Sequence, residues 1–147
     1  MFRSIVVGTD GSSTAGEAVR EAIELAKELG ATIELVSAYE PISNQRLRED
    51  ARQVPADMQW MVNPREADDA TLREAADQAE SVGVKVNTYA REGDPADAIL
   101  DVAEERGADL VVIGNKGMTG AKRFLLGSVP NKVSHHAPCS VLIIRTT

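Results

Sequence analysis

The sequence predicts a single α/β domain in which five parallel strands form an open sheet with helices on both faces. Strand-like segments rich in Val and Ile alternate with segments of helical periodicity through all 147 residues. Two of these segments, residues 5–7 and 110–113, are unbroken apolar runs, which is typical of strands buried on both faces. Each run leads into a turn that contains glycine. No internal repeat or linker divides the chain.

The first part of the chain has the pattern strand, helix, strand. Residues 5–7 form the first strand, and Ser12 or Ser13 is the expected N-cap of the helix that follows. Gly30 ends this helix, and the β-branched and apolar residues of Thr32–Tyr39 form the second strand. The apolar positions of the helix keep a helical spacing: Val19, Ala22, Ile23, Ala26 and Leu29.

Residues 40–63 show no convincing periodicity. Pro41 ends the second strand, and the charged residues that follow it alternate in sign. A connection of this length in a compact domain is usually functional or mobile. We interpret Trp60, the only tryptophan, as a loop aromatic that covers core rather than as a ligand platform.

The second half of the chain continues the alternation. A helix is predicted over residues 64–81 and a third, alternating strand over residues 84–89. Asp94 is the expected N-cap of the next helix, with Pro95 at its first position and Gly107 at its end.

The C-terminal part contains a fourth strand over residues 110–113, a helix over residues 129–136 and a last strand over residues 140–145. The first, fourth and fifth strands have the most continuous apolar runs, so we expect them to be the better buried ones. If the first and fourth strands are neighbours, the turns after them lie together at the carboxyl edge of the sheet, where open α/β sheets bind ligands.

Composition and charge exclude several classes of function. A net charge of −7 argues against a nucleic-acid partner, which clustered Lys and Arg would bind. No apolar run approaches the roughly 20 residues of a membrane span, and the N-terminus leads into a strand rather than a signal peptide. The single cysteine, Cys139, cannot form an internal disulfide. We therefore expect a cytoplasmic domain.

The glycine-rich turn after the fourth strand has the features of an anion site. Gly114 and Gly117 let backbone N–H groups approach a ligand, and a helix N-terminus with unpaired donors follows Gly127. Ser128 can cap that helix or turn its hydroxyl to the anion, and Lys116 can neutralise phosphate charge or simply be solvated. The spacing fits neither the Walker A nor the G-x-G-x-x-G pattern. We interpret the turn as a phosphate cradle.

Asp10, with Thr9 before it, follows the first strand at the same predicted edge. Its carboxylate can take a ribose hydroxyl or approach a phosphate-bound Mg²⁺, and the alternative is an ordinary Asp-Gly turn with Gly11. The adjacent His135 and His136 point about 100° apart on a helix, so they do not form a chelating pair.

Four segments together resemble the universal stress protein family, over nearly the whole of residues 1–147. The pattern G-x2-G-x9-G-S, from Gly114 to Ser128, resembles the signature of its ATP-binding members. Residues 5–12, 93–99 and 140–144 resemble the opening strand, the entry to the third helix and the C-terminal strand. The resemblance implies a Rossmann-like sheet of order 3-2-1-4-5 and a homodimer paired through the last strand.

The resemblance also implies a set of nucleotide-binding residues. Asp10 matches the position near ribose or phosphates, and through a nucleotide-bound Mg²⁺ it is the one metal-site candidate. Thr9 and Lys116 complete the predicted set. The other matched positions are Ala38 at the adenine, Gly114, Gly117, Gly127 and Ser128 at the phosphates, and their neighbours Ile113, Val129 and Pro130.

The expected function is that of a dimeric, ATP-binding regulator in the stress response. One branch of the family, with Gly-Asn after the fourth strand, includes cyclic AMP binders, and Gly114-Asn115 fits it in part. A cyclic AMP sensor or sink is therefore an alternative ligand assignment. A slow Mg²⁺-dependent ATPase is another, although no general base is evident, so we do not expect fast enzymatic chemistry.

Overall fold

The computed structural model of the chain describes residues 1–40, 64–115 and 126–146. Predictions for residues 41–63, including Trp60, and for Lys116 and Gly117 therefore lie outside the described residues. The described part contains these elements in chain order: β1 (Ser4–Gly8), α1 (Ser13–Leu29), β2 (Thr32–Tyr39), α2 (Pro64–Ser81), β3 (Val86–Glu92), α3 (Pro95–Glu105), β4 (Leu110–Gly114), α4 (Ser128–His136) and β5 (Ser140–Ile144).

The strands form one parallel sheet of order β3-β2-β1-β4-β5, which confirms the predicted fold class and strand order. β1 lies between β2 and β4, with Val7 paired to Leu35 on one side and to Val112 on the other. The carboxyl ends of β1 and β4 are therefore neighbours.

Two apolar clusters hold helices against the two faces of the sheet. Successive side chains of a strand point to opposite faces, so Val7 packs with α1 and α2 while Val6 packs with α3 and α4. Val6, Val7, Val111 and Val112 are fully buried. Burial on both faces explains the unbroken apolar runs of β1 and β4.

The prediction that the fifth strand is well buried is wrong for the single chain. Leu142 and Ile143 are 40% and 39% exposed, because β5 is an edge strand. β2 is buried through residues 33–37 instead. An apolar run indicates a strand with little polar surface, but it does not distinguish a central strand from an exposed edge strand.

The helix caps follow the sequence closely. The Ser12 side chain accepts a hydrogen bond from the N–H of Ala15 at 3.2 Å, and Asp94 accepts from Asp97 at 3.1 Å. Gly30 ends α1 in the left-handed conformation with φ 68°. None of the described helices combines the length and the apolar content that crossing a membrane requires.

The third strand is displaced from its predicted position. Val84 precedes β3 rather than beginning it, because its N–H bonds to the carbonyl of Ala79 at the end of α2. Pairing with β2 then continues as far as Tyr39 and Glu92, which carries polar residues into the strand. The last strand ends at Ile144, one residue earlier than predicted.

Candidate functional site

A cleft opens at the carboxyl edge of the sheet, between the ends of β1 and β4. The chain leaves β1 toward one neighbour, β2, while β4 lies on its other side, so the direction of strand order reverses there. Connections diverge at such a switch point and leave a crevice.

About 520 Å³ of space lies between the walls of the cleft, and part of this space is open to solvent at the mouth. The end of β1 and the first turns of α1 form one wall, and β2, β4, α3 and α4 form the others. The lining residues are Gly8, Thr9, Asp10, Ser12, Thr14, Ala15, Ala18, Val36, Ala38, Pro95, Ile99, Ile113, Gly114, Val129 and Pro130.

The interior of the cleft is apolar and its rim is polar. Ile99 and Ile113 are buried members of the cluster beneath α3, and Val129 packs against that cluster. Ser12 and Thr14 place hydroxyl groups at the start of α1, where their oxygens are 3.3 Å apart. A flat, apolar ring system with a polar substituent fits such a division.

Gly8 lets the cleft wall approach α3 closely. A Cβ at this position would lie 2.7 Å from Cδ1 of Ile99 and 3.2 Å from its Cγ1. Any larger residue at position 8 would therefore displace Ile99 and alter the shape of the cleft.

The main chain of Ala38 is directed toward the cleft. Backbone groups of successive strand residues point to alternate neighbours. The Val36 carbonyl accepts from Thr9 on the β1 side, and the Tyr39 carbonyl accepts from Gly93 on the β3 side. The N–H and C=O of Ala38 therefore face the β1 side, beyond the point where β1 ends.

Asp10 forms the predicted Asp-Gly turn and also borders the cleft. Its Oδ1 accepts from the Ser12 N–H at 2.9 Å, and Gly11 has φ 82°. The carboxylate is half-buried at the rim. The turn fixes the position of this carboxylate rather than excluding a second role.

The start of α4 differs from the prediction for Ser128. Gly127 occupies the N-cap position without a side-chain cap, and Ser128 is the exposed first residue of the helix. Of the two roles predicted for Ser128, the N-cap is therefore wrong, and contact of its hydroxyl with an anion stays a prediction. The Gly127 N–H is held by the Asn115 carbonyl at 3.1 Å, which shifts the cap one residue earlier. The first turn of α4 still presents helix N–H groups and a partial positive charge.

Most of the predicted residues gather at this one cleft. Gly127 and Ser128 lie beside the lining at the start of α4, while Lys116 and Gly117 are outside the described residues. The seven that line it are Thr9, Asp10, Ala38, Ile113, Gly114, Val129 and Pro130.

Sequence reasoning missed the contribution of α3. Pro95 and Ile99 line the cleft, because α3 begins just after the carboxyl end of β3, at the same edge of the sheet. The helix start at Gly93-Asp94-Pro95 could have indicated this contribution, because it places the first turn of α3 at the same edge of the sheet.

An ion cluster joins the two helices that flank the mouth. Lys132 of α4 lies 2.7 Å from Asp97 and 3.4 Å from Asp94, at the start of α3. The hydrogen bond with Asp97 and the nearby carboxylates raise the pKa of Lys132. Because all three side chains are about half exposed, the cluster contributes little to stability.

The other reactive side chains lie away from the cleft. Burial raises the pKa of the Cys139 thiol, and Asp109 adds to the effect. The rings of His135 and His136 have centroids 6.5 Å apart. Among the described residues, no three His, Cys, Asp or Glu side chains are placed to hold a metal ion.

The fold and the cleft define a doubly wound α/β protein with a candidate ligand site at its switch point. The model of the universal stress protein family matches residues 1–145, and the chain belongs to that family. A universal stress protein of Mycobacterium tuberculosis is 38% identical over 99% of this chain and 98% of its own length. One of Methanocaldococcus jannaschii is 35% identical over 99% of this chain and 83% of its own length.

A solved structure of the family has a similar fold. It is a universal stress protein in complex with cAMP, 35% identical to this chain, with a TM-score of 0.73 and coverage of 99% of each chain.

Proposed function

We propose that this chain binds an adenine nucleotide in the cleft between β1 and β4 and acts as a dimeric regulator in the stress response. The observation that carries the proposal is the convergence of Asp10, Ala38 and the α4 N-terminus around one apolar cleft. Membership of the universal stress protein family supports it.

The apolar interior suits the adenine ring. Ile99 and Ile113 supply apolar contact for a flat ring, and the main chain of Ala38 supplies a donor and an acceptor on the side that faces the cleft. Ring contact with a few placed polar groups is the usual composition of a small-ligand pocket. We therefore place the base between α3 and the end of β2.

The phosphates belong at the start of α4. Gly114 and Gly127 bring backbone close to the cleft without side chains, and the first turn of α4 directs N–H groups outward. Lys116 and Gly117 remain part of this proposed cradle. ATP, with several anionic oxygens, is the leading ligand.

Asp10 fits a magnesium ion carried in with ATP. A half-buried carboxylate at the rim offers the hard oxygen that Mg²⁺ prefers, and Mg²⁺ is commonly held by one or two carboxylates together with phosphates. When bound, the ion would neutralise phosphate charge. Asp10 would hold it, and the Ser12 N–H would hold Asp10.

Cyclic AMP is the second candidate ligand. The structure at 35% identity is a complex with cAMP, and Gly114-Asn115 fits in part the branch that includes such binders. A single phosphate charge would need the α4 N-terminus but not a metal ion.

We propose binding rather than fast hydrolysis. Asp10 is the only ionisable side chain among the described residues that line the cleft, and one of its oxygens already accepts from Ser12. Positioning a water for attack on a phosphate normally requires a further group. A slow ATPase remains the alternative activity, and the cytoplasm is the proposed compartment.

Titration calorimetry with ATP, AMP and cyclic AMP, each with and without MgCl₂, tests the assignment, with GTP as the control for the base. We expect adenine nucleotides to bind and GTP to bind at least tenfold more weakly. Equal affinity for GTP, or no binding of any adenine nucleotide by folded protein, would refute the proposed site.

The variant Asp10→Asn separates the metal from the nucleotide. It should remove the Mg²⁺-dependent part of ATP affinity, about tenfold, and leave cyclic AMP binding within about threefold. Asp101→Asn, on the exposed side of α3, removes the same charge away from the cleft and should change neither affinity.

A further inference from the structure

Asn115, the residue after β4, hydrogen-bonds to the ends of two other elements. Its N–H donates to the Ile144 carbonyl at 2.9 Å, which extends the β4–β5 ladder by one residue beyond the Gly114–Ile144 pair. Its carbonyl accepts from the N–H of Gly127, the N-cap of α4, at 3.1 Å. The main chain of one residue thus joins β5 to the start of α4.

The Asn115 side chain holds the chain beyond β5. Its Oδ1 accepts from the Thr146 N–H at 2.8 Å and from the Thr146 hydroxyl at 2.9 Å. Both bonds are partly buried, and the residues are 31 positions apart in sequence. An amide oxygen can accept two such bonds at once, and an alanine at this position would remove both of them.

These contacts connect the exposed edge strand to the cleft. Gly114 lines the cleft on one side of Asn115, and Val129 and Pro130 line it two and three residues beyond Gly127. The Gly127 N-cap has no side-chain cap of its own, and among the described residues it is the Asn115 carbonyl that accepts its N–H.

We propose that Asn115 is a positioning residue that couples the β5 edge to the nucleotide site. When Thr146 is docked on Oδ1, Asn115 holds Gly127 and the first turn of α4 at the cleft. Undocking of Thr146 releases this constraint. The identity of the ligand rests on the proposed function, but the coupling between Thr146 and Gly127 is independent of that function.

Coupling of this kind is reciprocal. If docking of the β5 end strengthens nucleotide binding by some factor, the nucleotide must strengthen docking by the same factor. Bound nucleotide should therefore slow amide hydrogen exchange at Thr146, outside the cleft.

The ligand-free test uses Thr146→Val, which removes the hydroxyl donor and keeps the shape of the side chain. Amide exchange measured by NMR should become about fivefold faster at Gly127, and Thr88→Val at the opposite sheet edge should not change it. Asn115→Ala should accelerate Gly127 exchange at least as much, and Asn115→Asp, which keeps the acceptor, should restore it. Unchanged exchange at Gly127 in folded Thr146→Val would overturn the proposal.

The ligand test uses Mg-ATP and cyclic AMP as probes. Whichever the wild type binds should bind about threefold more weakly to Thr146→Val and about tenfold more weakly to Asn115→Ala. The double variant should be no weaker than Asn115→Ala alone, because the two residues act through one contact. Equal affinities in wild type and variants would overturn the coupling.

Failure of the wild type to bind either probe would refute the proposed function instead. The exchange experiment would then decide the Asn115 proposal by itself.

Discussion

The two edge strands of the sheet, β5 and β3, differ in the polarity of their exposed side chains. The β5 edge is five residues long and exposes two-fifths of Leu142 and of Ile143. The β3 edge is seven residues long, and its outward positions include the polar residues Asn87, Thr88 and Glu92. Charged and polar residues discourage pairing at an edge, while an apolar edge invites it.

The β3 edge is also tied to its own domain by polar contacts. The Tyr89 hydroxyl donates to Oε2 of Glu34 at 2.8 Å, and Asn87 donates to Oε1 at 3.3 Å. Arg91 binds Glu105 of α3 through two hydrogen bonds, 2.7 and 3.1 Å long. The comparison indicates that the polar β3 edge discourages pairing with another strand, whereas the apolar β5 edge is suited to a second copy.

The largest expected effect is on assembly. Leu142→Lys or Ile143→Lys should weaken the proposed β5 dimer by at least a hundredfold, because a charge would be buried among apolar side chains. Thr88→Lys places the same charge on the β3 edge and should leave assembly unchanged. Sedimentation velocity across a concentration series measures all three.

Two results would reverse the comparison. If both β5 variants stay folded and dimeric, the dimer does not pair through β5. If Thr88→Lys dissociates the dimer, the dimer pairs through β3.

The next effect concerns folding stability. Tyr89→Phe leaves one oxygen of Glu34, a residue only 4% exposed, without its closest donor. We expect a loss of about 1–3 kcal/mol in the free energy of unfolding, measured by urea denaturation. The control is Tyr39→Phe, whose hydroxyl accepts from Arg65 at 3.3 Å in an exposed contact. An equal loss of unfolding free energy in both variants would show that the effect does not come from the buried carboxylate of Glu34.

These contacts show where prediction from sequence succeeds. β1, β4 and the caps at Ser12 and Asp94 were predictable, because their signals are local: an apolar run, or a capping residue beside a helix start. The position of Asp10 at the cleft followed once β1 and β4 were taken as neighbours. Its role in binding, and that of Ala38, stay predictions.

The features that escaped prediction depend on distant partners. Glu34 is buried because Tyr89 and Asn87 reach it from β3, more than 50 positions along the chain. Ile99 lines the cleft only because α3 crosses that face of the sheet, and Asn115 matters only through Thr146 and Gly127. Sequence periodicity carries no information about such pairs.

A smaller effect is expected at alkaline pH. Burial raises the pKa of the Tyr89 hydroxyl above its usual 10.0, and the hydrogen bond to Glu34 adds to the rise. The unfolded chain therefore loses this proton at lower pH than the folded chain. The stabilisation is complete below about pH 10 and is lost as pH rises through the folded pKa. Tyr89→Phe should thus show a shallower fall in stability above pH 10 than wild type. An identical slope would contradict the assignment.

The smallest effect is expected at the outermost contact of the β3 edge, between Arg91 and Glu105. These side chains are 35% and 49% exposed, so water and salt screen their attraction. The guanidinium also lies 5.5 Å from the centre of the Tyr89 ring, and both residues are only partly buried. Arg91→Gln should therefore shift the urea midpoint far less than Tyr89→Phe. Arg73→Gln, at an exposed position of α2, is the charge-matched control. Raising the salt concentration should remove any difference in urea midpoint between Arg91→Gln and Arg73→Gln.

A loss of unfolding free energy in Arg91→Gln as large as that in Tyr89→Phe would mean that the exposed ion pair with Glu105 stabilises the β3 edge. The contrast with β5 would then rest on surface charge rather than on the buried carboxylate of Glu34.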